Sequence, residues 1–212
     1  MTSREMTPEF LIDGPAGAPL TVALAHGAGA AMDSPFMTAM AAGLAGRGWR
    51  VVRFEFPYMA ARRRDGRRRP PDPQAKLLAA WRAVISDLGP ERLVIGGKSL
   101  GGRMASLIAE AAGVRGLVCL GYPFHPPGKP ERLRTAHLAD IATPSLIVQG
   151  TRDPFGTPEE VAGYDLSPRI RLAWIEDGDH DLKPRKASGR TKEQNWQAAL
   201  AAVAAFGQDL LG

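Results

Sequence analysis

One cysteine, Cys119, stands alone among 212 residues. That count excludes an internal disulfide and any metal site built on several cysteines, and it fits a reducing compartment. Long apolar runs are missing as well, since none approaches the roughly 18 residues needed to cross a bilayer. The amino terminus, MTSREMTPEF, carries Glu5 and Glu9 and lacks the apolar core of a signal peptide. A soluble, cytoplasmic protein is the expectation. No internal repeat is present and no linker divides the sequence, so residues 1–212 are expected to form one domain.

Net charge is also low: 27 Lys and Arg face 22 Asp and Glu, leaving +5. The segment Arg62 to Arg69 (RRRDGRRR), six arginines against one aspartate, accounts for all of it. The basicity is therefore local. Such a run either faces phosphate, an acidic partner or nucleic acid, or is a solvated loop of repelling charges. Without interleaved aromatics it is a weak nucleic-acid signal, and the solvated loop is the preferred reading. What the chain does have is apolar mass. Its 44% hydrophobic residues can fill an interior that buries about 70% of the unfolded surface, which excludes a disordered polymer.

Strand-like and helix-like segments alternate, the pattern of parallel strands joined by crossover helices. Strands are expected at Leu20–Ala25, Trp49–Phe56, Arg92–Ile95, Gly116–Leu120, Ser145–Gly150 and Ile170–Ile175, each short, apolar and bounded by turn residues. Ser34-Pro35 opens a helix that Gly46 to Gly48 stop. Further helices are expected over Gln74–Leu88, Arg103 to about Ala112, and the alanine-rich Thr191–Leu211. Pro57–Pro73 is polar and broken, a surface excursion.

One turn carries chemistry. Gly97-Lys98-Ser99-Leu100-Gly101 fits G-x-S-x-G between an expected strand and an expected helix, the setting that places a serine on a sharp, strained turn at the carboxyl edge of a sheet. Ser99 is the candidate nucleophile. A serine hydroxyl needs a base, and the base needs a carboxylate to orient it. Of four histidines, His180 is preferred because it lies in the polar loop after the last strand; His26, His125 and His137 are weaker candidates. Asp153 follows the strand SLIVQG and completes the chain order Ser, Asp, His. Asp140 and Asp165 precede strands, while Asp177, Asp179 and Asp181 lie too near His180 to be its natural partner. An oxyanion also needs donors: the N–H of Leu100, after the nucleophile, and of Ala28 in the loop HGAGA, with Gly27 next.

Together HGAGA, GGKSLGGR, GTRDP and DGDHDLKP resemble the small α/β-hydrolases of the dienelactone-hydrolase-like group, over roughly residues 20 to 210. Within it the chain is more similar to compact, capless proteins related to chromatin-complex subunits. The resemblance implies an α/β-hydrolase fold: a mostly parallel central sheet of the eight-stranded type, open to trimming at its amino end, flanked by helices without a large cap. It also implies Ser99, Asp153 and His180 as nucleophile, acid and base, with no cofactor and no metal. Dienelactone hydrolases carry a cysteine nucleophile, so lactone specificity does not transfer to a serine elbow.

The leading expectation is a serine hydrolase cleaving small carboxylic esters or thioesters through an acyl-enzyme. The alternative is a noncatalytic hydrolase-fold module that binds nucleic acid or an acidic partner through Arg62–Arg69. Lys98 and Arg152 either bring positive charge to the pocket mouth, which would suit an anionic acyl group, or point into solvent; outward pointing is the preferred reading for long side chains beside a turn. Cys119, in mid-strand, is expected to be buried and inert.

Overall fold

The computed structural model describes residues 9–212, so the amino-terminal stretch read above for a missing leader lies, up to position 8, outside the described residues. Seven strands form one sheet: β1 (Phe10–Asp13), β2 (Thr21–Ala25), β3 (Arg50–Phe54), β4 (Leu93–Lys98), β5 (Gly116–Leu120), β6 (Ser145–Gly150) and β7 (Ile170–Ile175). The order is β1-β3-β2-β4-β5-β6-β7, and all pairs are parallel except β1 with β3. The helices are α1 (Pro35–Ala45), α2 (Pro57–Asp65), α3 (Gln74–Leu88), α4 (Leu100–Ser106), α5 (Pro158–Val161) and α6 (Lys192–Leu211). Among the described residues no cap covers the carboxyl edge of the sheet, and no helix is long and apolar enough to cross a membrane.

Successive strand residues point to opposite faces, and both faces are covered. Val22 and Leu24 of β2 pack with α1 and α6, through Met40, Leu44, Leu200 and Val203. Ala23 and Ala25 pack on the other side with Trp81 of α3 and Met104 and Ala105 of α4. The chain steps from β2 outward to β3 and then back across to β4 on the other flank. That reversal is a topological switch point between β2 and β4, and open α/β sheets hold their ligands at the carboxyl ends of the strands beside it.

Several boundaries differ from the sequence expectation, each for a local reason. β1 was not expected; its four residues FLID pair antiparallel with β3 at the sheet edge, and Asp13 takes the buried Arg53 guanidinium at 2.9 Å. Pro57–Pro73 is not wholly a surface excursion, because Pro57 starts α2, Gly66 closes it in the left-handed conformation, and Tyr58 and Met59 are buried. Residues 66–73 are coil at the surface, as expected, tied back to α2 by Asp72, which accepts the Tyr58 N–H at 2.8 Å. α4 starts at Leu100 rather than Arg103 and its regular bonding ends at Ser106, whose hydroxyl donates to the Arg103 carbonyl at 2.8 Å in competition with the helix ladder. α6 begins one residue later than expected, behind a capping box of Thr191 and Gln194.

Candidate active site

β4 extends through Gly96 and Gly97 to Lys98, past the point where the sequence placed the turn. A side chain at Gly96 would collide with the backbone of Val118, and one at Gly97 (φ +149°) or Gly101 with the carbonyl of Ala25. Only glycine lets β4 and α4 close this tightly on their neighbours. Ser99 then adopts φ 50°, ψ −112°, outside the comfortable range for a residue with a Cβ and worth about 1–3 kcal/mol of strain. Its own N–H is engaged by the Leu120 carbonyl at 3.0 Å, and its side chain remains partly exposed at the sheet edge.

His180 and Asp153 meet Ser99 there. His180 Nε2 lies 2.9 Å from Ser99 Oγ, and Nδ1 lies 2.8 Å from Asp153 Oδ2. Asp153 is fully buried, so its carboxylate needs donors. Besides the imidazole it receives the Phe155 N–H at Oδ1 (3.0 Å) and Gln149 Nε2 at Oδ2 (3.0 Å). With the carboxylate accepting from Nδ1–H, the Nε2 lone pair faces the serine hydroxyl. The Phe155 ring covers the imidazole at a centroid distance of 4.2 Å.

The His180 loop is held from the far side by α6. Asn195, itself buried, donates to the carbonyls of Glu176 and Leu182 at 3.0 Å each, and Trp196 Nε1 to that of Asp181 at 3.0 Å. Asp177 is held to a pKa of about 2, chiefly by hydrogen bonding to Arg185, and also pairs with Arg152 at 2.9 Å. Gln149 and Asn195 were not singled out from the sequence. Asn195 is an ordinary amide among polar residues at the start of α6, but Gln149 stands between Val148 and Gly150 in the strand SLIVQG, where a glutamine among apolar residues was the available signal.

The loop HGAGA after β2 lies against the elbow: a Cβ on Gly27 would be 3.8 Å from that of Ser99. His26 is fully buried, with Nδ1 2.7 Å from the Gly27 carbonyl and Nε2 accepting the Phe56 N–H at 3.1 Å, so the ring carries its proton on Nδ1. Burial lowers its pKa and keeps it neutral. The Tyr58 hydroxyl donates to the Ala28 carbonyl at 3.0 Å. Among the described residues no acceptor takes the N–H of Ala28 or Leu100.

Other expectations sort themselves by contact. Lys98 does not point into solvent; it is 7% exposed, with Nζ 3.6 Å from Asp181, because the elbow turns its stem under the Gly27 loop. Arg152 lies along Asp177 rather than at a pocket mouth. In the arginine run, Arg63 bridges Asp33 and Glu55 and Arg69 pairs with Asp65, so two of the six guanidiniums are engaged internally. Cys119 is buried, and burial pushes its thiol pKa far up. A second Ser–His contact, Ser106 with His137 at 2.8 Å, differs in kind. The Ser106 proton goes to the Arg103 carbonyl, so the imidazole donates to the hydroxyl instead of receiving from it, and among the described residues no carboxylate is hydrogen-bonded to the ring. Among the described residues no group of three or more His, Cys, Asp or Glu side chains is arranged to hold a metal ion.

Solved structures of the same architecture include a dienelactone hydrolase from Anabaena variabilis, with TM-score 0.72 and 21% identity over 98% of this chain and 94% of that one. An alpha-beta serine hydrolase homologue from Coxiella burnetii matches at TM-score 0.68 and 21% identity, over 90% of this chain and 89% of that one. A serine hydrolase without a lid from Xanthomonas campestris matches at 0.67 and 20%, over 95% and 88%. At these identities the likeness is one of fold. Residues 18–208 match the family described as the alpha/beta hydrolase domain, and the chain belongs to that family.

Proposed function

We propose that this protein is a serine hydrolase acting on small carboxylic esters or thioesters through an acyl-enzyme. The observation that carries the reading is the unbroken hydrogen-bonded run from Asp153 through His180 to Ser99. As Ser99 Oγ attacks the carbonyl carbon, its proton passes to His180 Nε2, and Asp153 stabilises the imidazolium that forms. The oxyanion accepts from the N–H groups of Ala28 and Leu100, each such donor being worth about 3 kcal/mol in related chemistry. Collapse expels the alcohol or thiol, which takes the proton from Nε2 and leaves the acyl group on Oγ. Water then repeats the sequence, losing a proton to His180 and releasing the acid as Ser99 regains its hydrogen. The uncapped carboxyl edge supports small or accessible substrates over lipid aggregates.

A fluorophosphonate probe tests the reading. Wild type is expected to be labelled and to cleave short-chain nitrophenyl esters and thioesters, and Ser99→Ala to do neither. Equal labelling of both proteins would reject Ser99 as nucleophile, and absence of labelling and turnover in wild type would favour a noncatalytic scaffold.

A further inference from the structure

A lysine with 7% of its surface exposed needs a physical reason, because removing an ammonium from water is costly and a methionine would fill the same space. Burial holds the amine's pKa below the ordinary lysine value, opposed by the carboxylates of Asp181, Asp153 and Asp179. Lys98 directly precedes Ser99, and Asp181 directly follows His180; their side chains meet at 3.6 Å. Gly121 makes room for this. A Cβ built there would lie 3.2 Å from Lys98 Nζ and 3.3 Å from His180 Nδ1, so the ammonium and the imidazole flank the same bare Cα. The other anchors of the loop, Arg152, Arg185, Asn195 and Trp196, tie it to its own surroundings and to α6. Among the described residues, the side-chain links from the elbow to this loop are the Lys98–Asp181 pair and the Ser99–His180 hydrogen bond.

We propose that Lys98 is a positioning residue: its ion pair with the half-exposed Asp181 locks the base-bearing loop onto the strand that carries Ser99 and so sets the approach of Nε2 to Oγ. The inference rests on the hydrolase reading above. Lys98 touches neither the reacting carbonyl nor the transferred proton in this account, and acts through His180.

Nitrophenyl acetate turnover by Lys98→Met, Lys98→Arg, Asp181→Asn and the Lys98→Met/Asp181→Asn double variant tests it. Lys98→Met is expected to lose kcat by about tenfold or more with KM within about twofold, the signature of a misplaced base rather than lost binding. Lys98→Arg should restore part of the loss. Asp181→Asn should lower kcat likewise, and the double variant should be no worse than Lys98→Met alone, since both remove the Lys98–Asp181 contact; the other partner of Asp181, Lys183 at 3.2 Å, belongs to the same loop and does not tie it to the elbow. Independently of turnover, the downfield proton of the His180–Asp153 hydrogen bond should be seen by proton NMR in wild type and lost to exchange in Lys98→Met. Wild-type kcat and an undisturbed downfield proton in Lys98→Met would overturn the inference, as would losses that multiply in the double variant. Should Lys98→Met not fold, Asp181→Asn decides, because Asp181 is half exposed and an unchanged kcat there sinks the proposal. If Ser99→Ala stays active the hydrolase reading fails; if only the Lys98 and Asp181 variants are silent, this inference alone fails.

Discussion

Asp153 shows how much one carboxylate is asked to do in this site. It is fully buried, accepts from three side-chain or backbone groups, and thereby holds His180 with its proton on Nδ1. Asp153→Asn offers an amide where the imidazole needs an acceptor, favouring the wrong tautomer. We expect kcat to fall by roughly three to four orders of magnitude with little change in KM, read by steady-state hydrolysis. The placement of Asp153 beside His180 was legible because it follows a strand and completes the order Ser, Asp, His. Lys98 was not legible. The outward-pointing expectation treats a long side chain beside a turn as free, whereas the elbow rotates this one beneath the Gly27 loop and toward Asp181.

Gly97 is where a single atom decides the geometry of the strand-to-helix turn. Its φ of +149° and the Ala25 carbonyl facing it leave no space for a methyl group. Gly97→Ala should cost about 3 kcal/mol or more. For a chain of this length that corresponds to a melting temperature lower by roughly 10 °C, measurable by calorimetry. The glycines marked this turn in the sequence, and so did the strand before it. The extent of β4 and the early start of α4 were hidden, because glycine in a sequence signals a break, while here Gly96 and Gly97 are strand residues packed against neighbouring backbone. α2 was hidden for the converse reason: its arginines mask Tyr58 and Met59, which supply the buried side of the helix.

Across the sheet the two apolar layers share the same strands, and we propose that they unfold together. Trp81 reports one layer and Trp49 and Trp196 the other. Urea melts followed by tryptophan fluorescence and far-UV circular dichroism should coincide in one transition; separated midpoints would indicate two units. Acid should weaken this fold before the carboxylates titrate. Burial, with Arg103 beside it, lowers the His137 pKa from 6.5 to about 4, so the unfolded chain binds the extra proton first. Stability therefore falls as pH drops from about 6.5 toward 4, and the buried His26 acts in the same direction. His137→Gln should flatten that part of the melting-temperature profile between pH 7.5 and 4.5.

Alternation of short apolar segments with helical ones was enough to assign parallel strands and crossover helices, and three strands, β5, β6 and β7, have the bounds the sequence implied. Periodicity and glycine placement are local properties, and local sterics enforce them. The edge strand β1, the amides of Gln149 and Asn195 behind the site, and the burial of Lys98 belong to tertiary structure alone. Each is settled by a partner elsewhere along the chain: β3, the Tyr122 N–H that Gln149 Oε1 accepts at 2.7 Å, the His180 loop, or Asp181. The desolvation that gives a buried polar group its meaning exists only once that partner has closed over it.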